Sequence, residues 1–387
     1  MLKRFTLRNY KNFKDEITLD LGDIAGYQYN TECIHNNTIT KALIYGRNAT
    51  GKTNLGKAIM DIAYTMRGIP RYEDEVAFLN ADSHEAVAIF NYYFVFESHK
   101  LIYEYSRKSA VEIVDEKLTI DDKVVFNCDF QNSHIDFSGL KYVNADTVNT
   151  DLYFYTVNSD EENDNTLGKR IPFIRWLTNN TVFSNDSVMM RFLNYVMRMS
   201  SIDNSTLAIL GISRIMNGFL EGIKKTDGLK DFENFLNAMG IECSLVLKEL
   251  PDNQYALYFS HDKLVPFDTA SSGTKAATQL YRRLVSGGFG NAQSPSFVYM
   301  DEFDAYYHYE MSQNVIEYLK KNYPQTQIVF TTHNTVLMSN RIMRPDCLFL
   351  LSTKGNLTPL QKATERELRE GHNLAKMYMS GEFEQYE

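Results

Sequence analysis

Eight consecutive residues constrain the fold of this chain more than any other stretch. Residues 46–53 read GRNATGKT and match the phosphate-binding pattern GxxxxGK[ST] in full. The apolar run 42–45 before them predicts a buried strand, and apolar residues spaced three or four apart after Lys52 predict a helix. In a strand–loop–helix unit, the backbone N–H groups of the loop and the start of the helix converge on one phosphate. The sequence therefore predicts a nucleotide-binding site.

The residue types in this loop suit that chemistry. Gly46 and Gly51 leave room for the backbone to wrap around an anion. Lys52 is expected to reach the β- and γ-phosphates, and Thr53 is expected to offer its hydroxyl to Mg²⁺. A nucleotide and Mg²⁺ are therefore the expected cofactors.

The composition excludes several classes of protein. The chain has 387 residues, of which 44% are hydrophobic and 23% are charged, as in an ordinary globular protein. No stretch approaches the ~18 uncharged apolar residues of a membrane span, and the N-terminal residues lack the apolar segment of a secretion signal. The four cysteines lie far apart, without the spacing of a zinc site or a disulfide set. A cytoplasmic location without membrane contact is expected.

The order of predicted elements indicates a single α/β domain spanning 1–387. Strands lead into the phosphate-binding loop at 46–53, the P-loop, and strand–helix alternation returns after residue 255. Both ends of the chain are therefore expected to build one sheet. Between them, a helical pattern that begins at Val188 continues to Met199. The assigned limits are 1–72 and 250–387 for the nucleotide-binding core, 73–160 for an aromatic-rich antiparallel β insertion, and 161–249 for a helical lobe.

An apolar strand predicted over 296–300 ends in two carboxylates, Asp301 and Glu302. Ligands of open α/β sheets bind at the carboxyl ends of the strands, where this pair would emerge. Asp301 would hold Mg²⁺, directly or through water. Glu302 would orient and polarise the water that attacks the γ-phosphate, which makes it the candidate catalytic carboxylate.

Three further segments follow a characteristic order. ASSGT at 270–274 opens a predicted helix, DAYYH occupies 304–308, and IVFTTH at 328–333 is a strand that ends in a histidine. Together with the P-loop, these segments resemble the SMC/RecF/OLD-like branch of ABC ATPases. Within that branch they resemble the compact bacterial AAA-type ATPases of PARIS-type and Abi-type systems, which act in abortive infection and anti-phage defence. The opening FTLRNYKNFKDEITLDL and the closing GHNLAKMYMSGEF resemble the corresponding ends of these proteins, so the resemblance covers nearly the whole chain.

The resemblance implies a fold and several residue roles. The fold is an ABC-type P-loop NTPase head with an N-terminal β-subdomain. A mixed β and helical insertion lies between the P-loop and the signature motif, which is ASSGT at 270–274. The nucleotide is ATP, and Asn48 and Asn54 join its candidate ligands. Asp304 belongs to the D-loop, and His333 is the catalytic switch histidine.

The resemblance also implies that two heads pair. Each ATP is held between the P-loop of one subunit and the signature residues Ser271, Ser272 and Gly273 of the other, where the start of a helix faces the γ-phosphate. A homodimer of heads, or a larger assembly built from such dimers, is therefore expected.

Two departures from the family pattern affect the expected partners. The glutamine of the Q-loop is not assignable, because Gln131 is the only glutamine between the P-loop and residue 253 and lies in the aromatic insertion. The chain after His333 is too short for the Toprim nuclease domain of OLD proteins. A separate effector protein, either a nuclease or a toxin, is therefore expected, with a phage component as a candidate trigger.

Three functions follow as alternatives. The leading hypothesis is a defence ATPase that senses infection and regulates the separate effector. The second is a RecF-like DNA-repair ATPase, against which the net charge of −9 argues, and which salt-dependent nanomolar DNA affinity would support. The third is an ATP-binding scaffold with negligible hydrolysis, against which the presence of Glu302 and His333 argues.

Overall fold

A computed structural model describes residues 1–69, 76–154, 171–203, 212–251, 254–260, 262–285 and 294–387. The strands are β1 (Leu2–Arg8), β2 (Ile17–Asp20), β3 (Ile34–His35), β4 (Thr38–Ile39), β5 (Lys41–Tyr45), β6 (Ala88–Phe96), β7 (His99–Arg107), β8 (Ile113–Ile120), β9 (Lys123–Asp129), β10 (His134–Asp136), β11 (Met199–Asp203), β12 (Leu245–Leu250), β13 (Gln254–Ser260), β14 (Leu264–Pro266), β15 (Phe297–Asp301), β16 (Gln327–Thr332), β17 (Leu348–Leu351) and β18 (Leu357–Pro359). The helices are α1 (Lys52–Arg67), α2 (Phe173–Asn180), α3 (Val188–Met197), α4 (Ile212–Thr226), α5 (Leu229–Ala238), α6 (Ser272–Val285), α7 (Tyr309–Asn322) and α8 (Leu374–Met379). Within the described ranges, no helix combines the length and the apolar character needed to cross a bilayer.

The P-loop extends from a mixed six-stranded sheet. The strand order is β11-β15-β16-β5-β17-β18, and all neighbours run parallel except β17 and β18. Every residue of β5, β15 and β16 is buried, as expected for parallel strands covered on both faces. Because parallel strands end at the same edge of a sheet, the residues that follow β5, β15 and β16 share one edge. The α/β fold predicted from the sequence is confirmed.

Strand β11 corrects the prediction of a helical pattern that continues to Met199. Helix α3 ends at Met197, and Met199 begins a strand of five residues that pairs in parallel with β15. Arg198, between them, accepts a hydrogen bond from Ser296 N at 3.2 Å and donates one to Ser294 O at 3.0 Å. Pairing with a distant strand therefore overrides the local helical spacing.

The aromatic strands form a second, antiparallel sheet with the order β10-β9-β8-β7-β6-β1-β2. The predicted antiparallel meander is confirmed, and it joins the N-terminal hairpin because β6 pairs with β1. The predicted sheet with strands from both ends of the chain is the six-stranded sheet, but β1 and β2 do not belong to it. The strand predicted near residue 255 is β13, which lies in a separate sheet with the order β12-β13-β14. The predicted limits at 72/73 and 160/161 fall outside the described residues, so the division into lobes stays a proposal.

Helix α1 packs against the aromatic face of the antiparallel sheet. Tyr92 donates a hydrogen bond to Ala58 O at 2.8 Å, and Tyr105 donates one to Asp61 Oδ2 at 2.7 Å. The guanidinium of Arg107 pairs with the same Asp61 oxygen at 3.0 Å, and both charged residues are buried. A buried carboxylate needs such partners because an unpaired buried charge is strongly destabilising. These aromatic side chains therefore support the helix that follows the P-loop and are not available for stacking on bases.

The opposite side of α1 approaches the parallel sheet so closely that only glycine fits. A Cβ on Gly56 would lie 2.2 Å from the ring of Tyr299, whose hydroxyl donates to Lys52 O at 2.6 Å. We expect Gly56→Ala to lower the free energy of unfolding by about 1–3 kcal/mol, because the ring must move out of its packed position. Chemical denaturation measures this loss.

The matched control for this substitution is Gly218→Ala in helix α4. A Cβ on Gly218 would meet no atom of the described part of the chain within 4 Å. Because alanine favours a helix over glycine by up to about 1 kcal/mol, this change should stabilise the protein or leave it unchanged. Equal effects of the two substitutions would contradict the steric argument at Gly56.

Candidate nucleotide-binding site

The P-loop runs from the end of β5 to the start of α1, where the sequence placed it. Gly51 has φ 101°, a conformation that residues with a side chain rarely adopt. A Cβ there would lie 2.0 Å from the side chain of Asn12, and a Cβ on Gly46 would lie 2.5 Å from Thr50 Oγ1. The shape of the loop therefore requires both glycines of the motif.

Lys52 is buried, and its ammonium lies inside the loop. Its Nζ donates to two carbonyl oxygens of the loop, at 2.7 and 3.0 Å. Burial lowers the pKa of Lys52, while the nearby carboxylates of Glu302, Asp301 and Asp304 oppose that shift by favouring the charged form. A phosphate would offer this ammonium charge-assisted hydrogen bonds, which are stronger than those to neutral carbonyls.

Threonine hydroxyls connect the P-loop with the end of β15. Thr53 Oγ1 donates to Asp301 Oδ2 at 2.5 Å, across 248 positions of sequence. Asp301 Oδ1 accepts from Thr331 Oγ1 at 2.7 Å, and Thr331 Oγ1 accepts from the backbone N–H of Glu302 at 2.8 Å. The structure thus brings Thr53 and Asp301, the two candidate metal ligands, into direct contact and places Glu302 next to them.

Glu302 leaves the strand with an unusual backbone conformation. Its φ is 44°, in the left-handed region that non-glycine residues seldom occupy. This conformation costs about 1–2 kcal/mol and persists where the surrounding contacts hold it, often at functional sites. Here the Glu302 N–H bonds to Thr331, and the Glu302 carbonyl accepts from Ala305 N at 3.0 Å. The backbone that carries the Glu302 carboxylate is therefore held on both sides.

The chemistry of the donor set fits Mg²⁺. Thr53 and Asp301 supply a hydroxyl and a carboxylate, which are hard oxygen ligands of the kind that Mg²⁺ prefers. Among the described residues, no group of three or more His, Cys, Asp or Glu side chains forms a metal cage. A metal at this position would therefore depend on phosphate and water oxygens for its remaining ligands, as Mg²⁺ in phosphoryl-transfer sites does.

Asp304 and His333 line an open cleft of about 470 Å³. His333 directly follows β16 and is exposed at the edge where the P-loop begins. One carboxylate oxygen of Asp304 accepts a hydrogen bond from Thr332 Oγ1 at 2.9 Å, and the other is buried without a hydrogen-bond partner among the residues that the structure describes. Buried acceptors in folded proteins normally have a partner, so a ligand or a second chain at this cleft would satisfy Asp304.

The signature residues lie at the start of helix α6. Ser271 caps this helix, since its Oγ accepts from Thr274 N at 3.2 Å. Ser271 and Ser272 are exposed, and a Cβ on Gly273 would lie 3.1 Å from the carbonyl oxygen of Tyr306. Within the described part of the chain, no hydrogen bond connects these residues to the P-loop. The structure therefore does not join the signature to the P-loop of the same subunit.

The two asparagines assigned to the nucleotide have different surroundings. Asn48 is exposed in the loop, next to Ala49 with φ 64°. Asn54 donates a hydrogen bond to Asn12 Oδ1 at 2.8 Å, and Asn12 Nδ2 donates to Thr50 O at 3.0 Å. Asn12 lies in the turn between β1 and β2, so it ties the N-terminal hairpin to the P-loop. Nothing in the sequence assigned Asn12 to the site.

A family model described as "AAA domain, putative AbiEii toxin, Type IV TA system" matches residues 147–339. Residues 147–339 of the chain are therefore similar to this AAA family. The matched region contains the signature, Asp301, Glu302 and His333, and the P-loop precedes it in the sequence. The P-loop and this similarity together fit an ATPase of the AAA type.

Three solved structures of SMC heads are similar to this chain. The structure "Crystal structure of the SmcHead bound to the C-winged helix domain of ScpA" is 14% identical, covers 94% of this chain and 98% of its own, and has a TM-score of 0.48. The SMC head domain from Thermotoga maritima is 14% identical. The match covers 92% of this chain and 98% of that structure, with a TM-score of 0.46. The third structure is the Smc head domain with an extended coiled coil bound to the C-terminal domain of ScpA, derived from Pyrococcus furiosus. It is 14% identical, and the match covers 94% of this chain and 97% of that structure, with a TM-score of 0.45. A comparison with curated proteins gives no match.

Proposed function

We propose that the protein binds ATP with Mg²⁺ at the P-loop and hydrolyses it to ADP and phosphate. The observation that carries this proposal is the 2.5 Å hydrogen bond between Thr53 Oγ1 and Asp301 Oδ2, which joins motifs from opposite ends of the chain. A hydroxyl and a carboxylate in contact can both turn toward one Mg²⁺, whose positive charge offsets that of the phosphates. Lys52 would then meet the β- and γ-phosphates from the loop side.

Hydrolysis requires a group that accepts a proton from water. As the water oxygen bonds to the γ-phosphorus, the bond from this phosphorus to the β–γ bridging oxygen breaks and ADP leaves with the electron pair. Glu302, next to Asp301 at the end of β15, accepts the proton of the attacking water. His333, exposed at the same edge, donates a hydrogen bond to the γ-phosphate, and Lys52 offsets the charge that develops on the bridging oxygen.

The signature supports a site that is shared between two heads. Ser271 and Ser272 are exposed at the N-terminal end of a 14-residue helix, where the helix dipole attracts an anion. They have no hydrogen bond to their own P-loop within the described residues, whereas the ATP of a second copy would bring an anion to them. The buried, unpaired oxygen of Asp304 is a further group that a second head would satisfy. The protein therefore pairs head to head around ATP.

The biological role that we propose is anti-phage defence. ATP-driven pairing of the heads would regulate a separate effector, a nuclease or a toxin, in response to a phage component. The family description names a toxin and a type IV toxin–antitoxin system, which supports this choice over DNA repair. Plaque assays with the chain and its neighbouring genes test the role. Protection that persists when Lys52 is replaced by alanine would exclude an ATP-dependent mechanism.

Replacing Lys52 by alanine tests nucleotide binding directly. ATP–Mg²⁺ at 100 times its dissociation constant should stabilise the wild type by about 2.7 kcal/mol. Because the ammonium lies inside the loop and makes charge-assisted contacts with phosphate, Lys52→Ala should weaken ATP binding at least about tenfold. Thermal unfolding with and without ATP–Mg²⁺ measures the difference.

The control for this experiment is Lys57→Ala, the same substitution one turn and a half further along helix α1. Its stabilisation by ATP should equal that of the wild type, because Lys57 lies beyond the loop. If Lys52→Ala were stabilised by ATP as much as Lys57→Ala, the P-loop would not be the nucleotide site.

A further inference from the structure

The C-terminal segment singled out in the sequence docks beside the P-loop. Asn373 caps helix α8 by accepting a hydrogen bond from Lys376 N at 2.9 Å. Leu374, the first residue of the helix, and Phe383, which follows the helix, are fully buried, so both are anchored in the core. The segment 374–387 is therefore a fixed part of the head, and its contacts with the P-loop are built into the fold.

Helix α8 touches the strand that leads into the P-loop. The ring of Tyr378 packs edge-on against the ring of Tyr45, with centroids 4.8 Å apart and an interplanar angle of 71°. Tyr45 is the last residue of β5, directly before Gly46. The pocket that these rings line together with Gly46 and Arg47 has room for about one water molecule.

Arg47, the second residue of the P-loop, is held by a side chain of this segment. Its guanidinium forms an ion pair with the carboxylate of Glu387. Glu387 is itself fixed, because its carbonyl oxygen accepts from Thr353 N at 3.3 Å. A fixed residue of the C-terminal segment thus holds a side chain of the phosphate-binding loop.

The contact continues to the group that would bind phosphate. The carbonyl oxygen of Arg47 accepts from Lys52 Nζ at 3.0 Å and from Thr50 Oγ1 at 3.0 Å. Helix α8 also packs against the turn Thr335–Leu337, which begins two residues after His333. The C-terminal segment therefore contacts both the entry of the P-loop and the segment that carries the switch histidine.

We propose that Glu387 is a positioning residue of the nucleotide site, which holds Arg47 and thereby fixes the P-loop in the shape that receives phosphate, while Tyr378 packs against Tyr45 at the entry of the loop. The proposal rests on the proposed function, since it assumes that the P-loop binds ATP. A loop that is already ordered loses less conformational entropy when its ligand binds, so its affinity for ATP is higher. The C-terminal segment 374–387 then stabilises the nucleotide site.

The test compares Glu387→Gln with Glu384→Gln in the 387-residue protein. Glu384 is exposed in the same segment, so its substitution removes the same charge at a distance of three positions without affecting Arg47. Glu387→Gln should raise both the Kd of a fluorescent ATP analogue and the KM for ATP about threefold or more, with kcat within about twofold and an unchanged melting temperature. Because the Arg47 side chain is 66% exposed, the difference from wild type should shrink as salt rises from 50 to roughly 500 mM.

A second measurement separates positioning from a general loss of stability. In an Arg47→Ala background, Glu387→Gln should have no further effect on Kd, because the partner through which it acts is gone. Equal Kd values for Glu387→Gln and Glu384→Gln, in a protein that binds ATP, would overturn the positioning role alone. A wild-type protein that fails to bind the ATP analogue would overturn the proposed function and this inference with it.

Discussion

Replacing Glu302 by glutamine should slow ATP hydrolysis at least about 100-fold and leave ATP affinity nearly unchanged. Glutamine has almost the same size as glutamate and can still orient a water molecule, but it cannot accept the proton that this water must lose. The backbone contacts that hold Glu302, through Thr331 and Ala305, involve main-chain atoms and survive the substitution. Steady-state phosphate release measures the turnover, and titration with a fluorescent ATP analogue measures the affinity.

The same variant should accumulate paired heads when ATP is present. The variant does not hydrolyse the ATP bound between the two heads, so the heads stay together. Removal of a negative charge near the γ-phosphate also lowers the electrostatic repulsion within the closed site. Light scattering coupled to size exclusion would show the mass of a dimer with ATP and of a smaller species without it. Glu310→Gln, an exposed glutamate on helix α7, is the matched control and should hydrolyse ATP as the wild type does. If Glu302→Gln also turned over normally, another group would have to activate the water.

The parts of the site that could be predicted from the sequence are those fixed by covalent neighbours. Lys52 and Thr53 are adjacent in a glycine-containing loop, and Asp301 and Glu302 are adjacent at the end of an apolar run. The rule that parallel strands end at one edge of the sheet was sufficient to place these two pairs near each other. It did not indicate the strand order, in which β16 lies between β5 and β15.

The contacts that could not be predicted depend on which distant segments become neighbours. Thr331 bridges Asp301 and the Glu302 backbone because β16 lies beside β15, and nothing in its local sequence distinguishes it from any strand threonine. The ion pair between Arg47 and Glu387 spans 340 positions of sequence. A long-range contact of this kind forms only when the chain folds. The local spacing of apolar residues in the sequence therefore does not predict it.

The charges around Lys52 support the proposed roles of a metal and of a second subunit at the nucleotide site. Asp301, Glu302 and Asp304 all act on Lys52, so the edge of the sheet that faces the P-loop is acidic. A triphosphate placed there would meet negative charge, which Lys52 offsets only in part. Mg²⁺ between Thr53 and Asp301, and a helix N-terminus from a second head, would supply the remaining positive potential.

The strongest test of that second contribution is Ser271→Arg, which should reduce ATP turnover at least about 100-fold while nucleotide binding to the variant's own P-loop survives. A long side chain at the start of α6 would occupy the position where the neighbour's γ-phosphate is expected, and the heads could not close. Phosphate release and titration with an ATP analogue measure the two quantities separately. Mixing this variant with Lys52→Ala subunits should restore at most one competent site per mixed dimer. That site combines the P-loop of the Ser271→Arg subunit with the signature of the Lys52→Ala subunit.

The competing explanation for any effect at Ser271 is its bond to Thr274 N, since loss of such a cap destabilises a helix by about 1 kcal/mol. Ser271→Asp separates the two explanations, because aspartate caps a helix as well as serine does but places a negative charge against the neighbour's γ-phosphate. If the heads share the ATP, Ser271→Asp should keep the wild-type melting temperature and lose most of its turnover. Should Ser271→Asp and Ser271→Arg both hydrolyse ATP at nearly the normal rate, Ser271 would only cap its own helix, and each head would work alone.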